Sequence, residues 1–111
     1  MKVFSTAQEA ADTAEQTLRL FAKDREKIGK LQRAAPSALL VQEFMQKHPF
    51  IRIRTAAKAL KLSIPTVTSA LNHLVRLGIV REISQKQRDR LFSYSQYVNM
   101  VSKGTEPLSS R

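Results

Sequence analysis

The sequence of 111 residues contains no cysteine and no tryptophan, and it has only three glycines and two histidines. Without cysteine, the chain forms no disulfide, no thiolate zinc site and no cysteine nucleophile. No glycine-rich phosphate loop is present. Neither His48 nor His73 has a pair of carboxylates beside it in the sequence. These absences argue against an enzyme and predict neither a cofactor nor a bound metal.

Long hydrophobic runs are also absent. The longest, such as Ala38–Val41, span only a few residues, far fewer than the ~20 that cross a bilayer. The N-terminal segment MKVFSTAQEAAD has no apolar core of the kind that a secretion signal needs. We therefore expect a cytoplasmic protein of one-domain length that makes no contact with membranes.

Positive charge is abundant and unevenly placed. The formal net charge is +10, from 19 Lys and Arg against nine Asp and Glu. Residues 46–90 hold ten of the basic residues and only two acidic ones, a net of +8, whereas residues 1–45 and 91–111 each carry a net of +1. A concentrated positive segment is typical of proteins that bind nucleic acid, although a solvated basic surface gives the same count.

The N-terminal part predicts one long helix over residues 5–34, preceding the rest of the fold. Ser5 with Gln8 and Thr6 with Glu9 have capping-box spacing at its start. Its apolar residues recur at intervals of three or four and define a seam. The seam packs on the rest of this chain, on a second copy, or on a domain outside this chain, and the pattern leaves these open. The seam residues are Phe4, Ala7, Ala11, Ala14, Leu18, Phe21 and Ile28.

The following segment alternates helices with short extended stretches. Pro36 fits the first turn of a second helix running to about His48, with Leu39, Leu40, Phe44 and Val41 predicted on its buried face. Extended residues 50–53 precede helices over 55–60 and 64–77. Ser63 and Gly78 are placed to cap the start and the end of the second helix. The pattern ends with strands over 79–84 and 90–94, which form a hairpin, and a short helix over 96–102.

This order of elements is that of a winged helix-turn-helix, so the predicted fold is mainly α with a small β-hairpin, preceded by a long N-terminal helix. We expect a connecting or oligomerisation helix over 1–34, the winged domain over 35–103 and a flexible tail over 104–111. Segment 55–80, TAAKALKLSIPTVTSALNHLVRLGIV, resembles the winged-helix family consensus. Lys61 stands where that family commonly has glycine, which favours a turn of slightly different shape.

The helix over 64–77 is the predicted recognition helix. Val67, Ala70, Leu71 and Leu74 share one face and are predicted to be buried. The opposite face and its flanks carry short polar and basic groups of a size that reaches base edges in a major groove, although an ordinary solvated helix face has the same pattern. The candidate base-reading residues are Pro65, Thr66, Thr68, Ser69, Asn72 and His73.

Basic residues around this helix are candidates for the phosphate backbone. The loop 85–90 between the two strands is the predicted wing, where cations neutralise phosphates or enter a minor groove. Other basic residues flank the start of the first helix of the motif or lie near the end of the second helix. The candidate backbone contacts are Arg52, Arg54, Lys58, Arg76, Lys86, Arg88 and Arg90.

Most of the chain, from about Ala14 to Leu108, resembles the C-terminal region of Fic-family proteins. The matching segments are 20–28, 33–39, 65–68, 92–97 and 104–107. In that family an adenylyl-transfer domain is followed by a connecting helix and a winged helix. The resemblance therefore implies a regulator or targeting module, with the seam over residues 4–28 facing either an upstream Fic-type domain or a second copy.

One tripeptide imitates the catalytic motif of that family. His48-Pro49-Phe50 resembles its opening, but Ile51-Arg52-Ile53-Arg54-Thr55 follows, without the acidic residue and the glycines of the motif. We interpret the tripeptide as coincidence and expect no catalysis from this chain. The leading hypothesis is a double-stranded DNA-binding module, either of a prokaryotic-type transcription regulator or of the C-terminal part of a Fic-like protein. The alternative is a protein-interaction or dimerisation module of an enzyme that does not bind DNA.

Overall fold

A computed structural model describes residues 2–84 and 90–102, with side chains from residue 12 onward within those ranges. The described part is mostly helical, with one small antiparallel sheet, as predicted. The elements in chain order are helix α1 (Lys2–Gly29), a 3-10 turn (Gln32–Ala34), α2 (Ala35–Lys47), β1 (Phe50–Arg52), α3 (Ile53–Leu60), α4 (Ile64–Arg76), β2 (Arg81–Glu82), β3 (Leu91–Ser93) and α5 (Ser95–Ser102).

Helix α1 is long, but the predicted bounds of 5–34 were wrong at both ends. It begins by Lys2 and ends at Gly29, followed by a separate 3-10 turn. Glycine is a poor helix former, and the left-handed backbone of Gln32, with φ 64°, is incompatible with a continuous helix. Pro36 then lies in the first turn of α2, as predicted.

The predicted seam of α1 divides between two faces. Phe21 and Ile28 are buried in the core, whereas Ala14 is exposed and Leu18 is 67% exposed. The side chains of Phe4, Ala7 and Ala11 lie outside the described ones. The expectation of one continuous apolar seam is therefore wrong at Ala14 and Leu18, because the buried face includes Leu20 and Asp24 instead. The part of α1 near Phe21 packs on this chain's own core.

The buried face of α2 also differs from the predicted one. Leu40 is 41% exposed, Leu39 and Phe44 are only partly buried, and Val41 is fully buried. The core-facing residues are Ala35, Ala38, Val41, Gln42 and Met45. The consecutive apolar residues 38–41 fit more than one helix face. The predicted buried face excluded Gln42, a polar residue that belongs to the core.

A buried hydrogen-bond network explains the burial of Gln42. Its Nε2 donates to the Phe21 carbonyl and to the Tyr94 hydroxyl, both at 3.1 Å, and that hydroxyl donates to Asp24 Oδ2 at 2.8 Å. Gln42 and Asp24 are each only 2% exposed. Burial raises the pKa of the Asp24 carboxyl, opposed by the Tyr94 hydrogen bond and by Lys27 and Lys23. Burial likewise raises the pKa of the Tyr94 phenol. The network fixes α1 and α2 to the end of β3.

The sheet has three antiparallel strands in the order β1-β3-β2. Ile51 pairs with Phe92, and Glu82 pairs with Phe92 from the other side. The two hairpin strands are shorter than predicted: β2 covers only residues 81–82 of the expected 79–84, and β3 covers 91–93. Ile79 and Val80 are instead buried in the connection from α4. The predicted wing tip 85–89 and tail 104–111 lie outside the described residues.

Among the described residues, one core cluster contains side chains from helices α1 to α4 and from strands β1 and β3. Phe21 of α1 contacts the rings of Tyr94 and Tyr97 at 5.6 Å and 5.0 Å between centroids, so α1 and α5 pack together beside β3. The proposed domain division at residue 34 stays a prediction. Within the described ranges, no helix combines the length and the apolarity that a bilayer crossing requires.

Candidate nucleic-acid interface

The turn between α3 and α4 has a left-handed residue. Lys61 has φ 58° and ψ 41° and caps α3, while the Leu62 N–H donates to the Ala57 carbonyl at 3.0 Å. The expectation that lysine here gives a differently shaped turn was wrong, because the backbone takes the conformation that favours glycine. A left-handed non-glycine residue costs roughly 1 kcal/mol. The surrounding contacts hold Lys61 in this conformation. Ala56 and Ala57 of α3 are buried, and side chains this small let neighbouring helices pack closely.

Both ends of α4 have the predicted caps. The Ser63 hydroxyl accepts from the Thr66 N–H at 3.2 Å, and Pro65 lies in the first turn, where no N–H is needed. At the other end, Gly78 has φ +79°, and the Ile79 N–H donates to the Leu74 carbonyl at 3.0 Å. These caps fix the length and direction of the helix.

The two faces of α4 are divided as the sequence predicted. Its buried residues are Val67, Ala70, Leu71 and Leu74, which rest on α2 and α3. The outward face is not covered by any described part of the chain, and it forms a shallow concave surface. The exposed members of that face are Pro65, Ser69, Asn72 and Arg76.

Two of the candidate base-reading hydroxyls have local partners. The Thr68 hydroxyl donates to the Ile64 carbonyl at 2.8 Å, and the Thr66 hydroxyl lies 2.7 Å from the Ser63 hydroxyl. Both threonines are half-buried, as is His73. Ser69, by contrast, is exposed, and its hydroxyl has no partner among the described residues. Ser69 and Asn72 are therefore the polar side chains of this face that are best placed for an outside ligand.

Several of the candidate cations lie on α3 and α4. Within the described ranges, Arg54 and Lys58 on α3 and Arg76 on α4 are exposed and form no ion pair. Arg52 is half-buried on β1 and has an interaction partner. Lys86 and Arg88 lie outside the described residues. All these positions stay predictions as phosphate contacts.

Arg90 is held at the base of the wing by three neighbours. Its Nε and Nη2 lie 2.9 Å from Oε2 and Oε1 of Glu82, and its guanidinium lies 5.1 Å above the Phe92 ring. Nη2 is also 3.5 Å from Oδ1 of Asn72 on α4. The hydrogen bond from Arg90 lowers the pKa of Glu82. The sequence signal for this pair, which the predictions above missed, is two opposite charges eight positions apart in a predicted hairpin.

The described residues contain no group of three or more His, Cys, Asp and Glu side chains that is arranged to hold a metal ion. The imitation motif is split between elements: His48 follows α2 and packs its ring on Phe44 at 4.7 Å between centroids, whereas Phe50 begins β1.

The helix pair α3 and α4 and the three-stranded sheet together define a winged helix-turn-helix. No protein-family model matches the chain, and no curated protein sequence matches it significantly. Among solved structures it is similar to overoxidized AbfR bound to DNA, with 22% identity and a TM-score of 0.52, covering 98% of this chain and 82% of AbfR. It is also similar to YusO from Bacillus subtilis, with 16% identity and a TM-score of 0.51, covering 99% and 80%. These likenesses support the winged-helix fold.

Proposed function

We propose that this chain binds double-stranded DNA as the DNA-binding module of a transcription regulator, with α4 in the major groove. The observation that carries the proposal is the uncovered face of α4, where exposed Ser69, Asn72 and Arg76 recur at helical spacing. A helix of this width fits a major groove, and its short polar side chains match base edges.

Charge supports the same function. The exposed cations Arg54 and Lys58 lie on α3, which packs directly against α4. Cations beside a recognition helix contact phosphates and supply affinity that does not depend on sequence. The fold neighbour AbfR is itself crystallised on DNA, so this architecture is compatible with such docking. A DNA-binding role also favours the predicted cytoplasmic location of a prokaryotic-type regulator.

A salt titration tests the proposal. Binding of the full chain to a fluorescent random-sequence duplex, followed by anisotropy from low to physiological salt, is expected to show a Kd of roughly 10⁻⁴–10⁻⁶ M at physiological salt. The logarithm of the affinity is expected to fall linearly with the logarithm of salt concentration, by about 0.9 per phosphate contacted. No binding at low salt, or binding insensitive to salt, would contradict the proposal.

The alternative function, self-association or docking through α1, has one specific observation in its favour. Leu18, in the middle of α1, is 67% exposed, the largest exposed fraction among the large apolar side chains of the described residues. Sedimentation velocity of Leu18→Asp against wild type tests it, with Leu40→Asp, an exposed leucine on α2, as the matched control. A mass that falls only in Leu18→Asp supports a homodimer through this helix, whereas a monomeric wild type rules it out.

We also propose, on the sequence resemblance alone, that the chain is related to the C-terminal region of Fic-family proteins. The winged fold agrees with that resemblance but is shared with other regulators. The genomic reading frame upstream of Met1 tests it directly. A Fic-type adenylyl-transfer domain encoded there supports the relationship, whereas a different upstream domain contradicts it.

A further inference from the structure

The clearest polar link between the wing and α4 is the contact from Arg90 to Asn72. Asn72 is exposed on the outward face of α4, and Arg90 Nη2 lies 3.5 Å from its Oδ1. That distance is at the long end for a hydrogen bond. The position of the guanidinium, however, is set by stronger contacts.

Glu82 and Phe92 determine where the Arg90 guanidinium lies. The two Arg90–Glu82 hydrogen bonds are both 2.9 Å long, and the side chains of this pair are 26% and 27% exposed. A bidentate arginine–carboxylate pair has a fixed planar geometry. Since Phe92 is fully buried and pairs with Glu82 across the sheet, the pair is anchored to the core. Arg90 is thus a fixed donor beside α4.

A fixed donor determines which way the Asn72 amide faces. A guanidinium has only donors, so the atom facing it is the amide oxygen, since the amide nitrogen would place donor against donor. Oδ1 is therefore turned toward Arg90 and Nδ2 away from it. A free asparagine rotates its amide and offers either a donor or an acceptor to a ligand. With Arg90 in place, Asn72 offers its two N–H donors.

The orientation has a consequence for base recognition. In the major groove, guanine presents the acceptors N7 and O6, adenine presents N7, and thymine presents O4, whereas cytosine presents only the N4 donor. An Asn72 that presents donors can therefore hydrogen-bond to guanine, adenine or thymine on the contacted strand, and it disfavours cytosine. The bidentate pairing with adenine, which also uses Oδ1 as acceptor, is weakened because Arg90 occupies that oxygen.

We propose that Arg90 is a specificity-determining positioning residue, which is held by Glu82 and orients the Asn72 amide so that α4 disfavours cytosine at one position of its DNA site. This inference rests on the proposed function. It gives Arg90 a role different from the phosphate contact that the sequence alone suggested. It also makes Glu82, an acidic residue in a basic segment, part of the DNA-reading surface.

The test begins with the site that the full wild-type chain selects from a randomised duplex library. Affinities are then measured for duplexes that carry each of the four bases at every position in turn. One net hydrogen bond corresponds to between about twofold and tenfold in affinity. We expect one position at which cytosine is disfavoured by that factor, and we expect Arg90→Lys to reduce the factor below about twofold.

Arg90→Lys retains the charge but loses the planar fork that spans Glu82 and Asn72. Affinity for random duplex should therefore remain within about twofold of wild type. The slope of its salt dependence should not change. Arg81→Lys is the matched control, since Arg81 is exposed and its side chain points to the other face of the strand from Glu82. It should change neither the affinity nor the preference. Equal melting temperatures confirm that each variant is folded.

A double-mutant cycle shows whether Arg90 acts through Asn72. In an Asn72→Ala background, Arg90→Lys should leave the base preference unchanged, because the oriented amide is gone. Glu82→Gln, which keeps Arg90 but weakens its anchor, should relax the preference at the same position as Arg90→Lys.

Three results would overturn the inference. The first is a base preference in Arg90→Lys that matches wild type. The second is an equal loss of affinity for all sequences, which would make Arg90 a phosphate contact. The third is an effect of Arg90→Lys that persists in the Asn72→Ala background. A wild-type chain that binds no duplex at all would instead overturn the proposed function, and this inference with it.

Discussion

The outward face of α4 and the buried network around Tyr94 use polar side chains in opposite ways. In the network, Gln42, Tyr94 and Asp24 satisfy one another, and no buried side-chain polar atom among the described residues lacks a partner. On α4, Ser69 and Arg76 are exposed and have no partner within the described part of the chain. Polar groups in the core fix the fold, whereas those on α4 are available to a ligand. Substitutions should therefore separate binding from stability.

The largest effect is expected from removing the cations of the interface. Arg54→Gln, Lys58→Gln and Arg76→Gln together should weaken binding to random duplex by about a hundredfold at low salt, because each phosphate contact releases counterions. The salt slope should fall in magnitude by about 2 to 3. Thermal unfolding should change little, since all three side chains are exposed.

The control for this triple variant is Arg19→Gln on α1, whose guanidinium is exposed and lies 3.8 Å from Glu15. Its DNA affinity should stay within about twofold of wild type. The control removes one charge and the triple variant removes three. A loss of about fivefold in the control, a third of the hundredfold loss on a logarithmic scale, would mean that net charge, not the location of the cations, governs binding.

The next effect is on stability alone. Tyr94→Phe removes the hydroxyl that donates to Asp24 and accepts from Gln42, and leaving buried polar groups unpaired costs about 1–3 kcal/mol each. We expect the free energy of unfolding, measured by urea denaturation, to fall by about 2 kcal/mol. DNA affinity under conditions where the variant is folded should equal that of wild type. A binding defect without destabilisation would break the separation of the two regions.

A smaller effect is expected where α4 ends. Gly78→Ala places a Cβ in open space but on a backbone with φ +79°, which costs roughly 1 kcal/mol. Lys61→Gly relieves the same strain at φ 58° and should stabilise by a similar amount or less, because glycine has more conformational entropy to lose on folding. Urea denaturation checks both. Opposite signs for the two variants are expected, and equal signs would contradict the assignment of strain.

The smallest effect depends on pH. Because the pKa of Asp24 is raised by burial above its unfolded value of 3.8, the folded state binds the proton more tightly. Stability therefore falls as pH rises from about 3.8 through the folded pKa, and the full cost of the buried charge is present above it. Asp24→Asn removes this cost and keeps an oxygen for the Tyr94 hydroxyl.

We therefore expect Asp24→Asn to be more stable than wild type at pH 7, by a margin that shrinks as the pH is lowered through the raised folded pKa toward 3.8. The measurement is urea denaturation of both proteins across this pH range. A variant less stable than wild type at pH 7 would show that the charged carboxylate, with Lys23 and Lys27 near it, contributes favourably.

The sequence predicted the parts of the fold that depend on local patterns. The period of Val67, Ala70, Leu71 and Leu74, the cap at Ser63 and the left-handed Gly78 all follow from short-range rules, and the structure confirms them. The outward face of α4 was predicted for the same reason, since it is the complement of the buried one.

The parts that were missed depend on residues far apart in the chain. Gln42 and Asp24 are buried with Tyr94 as their hydrogen-bond partner, and Tyr94 lies 52 and 70 positions away from them in the sequence, respectively. No local pattern indicates such a distant partner. With Gln42 and Asp24 in the core, Leu40 is exposed, and the buried faces of α1 and α2 differ from the predicted ones. Asn72 and Arg90 are 18 positions apart on different elements, so their contact also required the tertiary fold.

The most direct test of the central claim is a titration of ¹⁵N-labelled protein with duplex DNA, followed by NMR at low salt. We predict that amide shifts concentrate on α4 at Ser69, Asn72 and Arg76 and on α3 near Arg54 and Lys58, while Leu20–Ile28 of α1 remains unchanged. Shifts confined to α1, with α4 unaffected at saturating DNA, would contradict the assignment of α4 as the helix that reads the duplex.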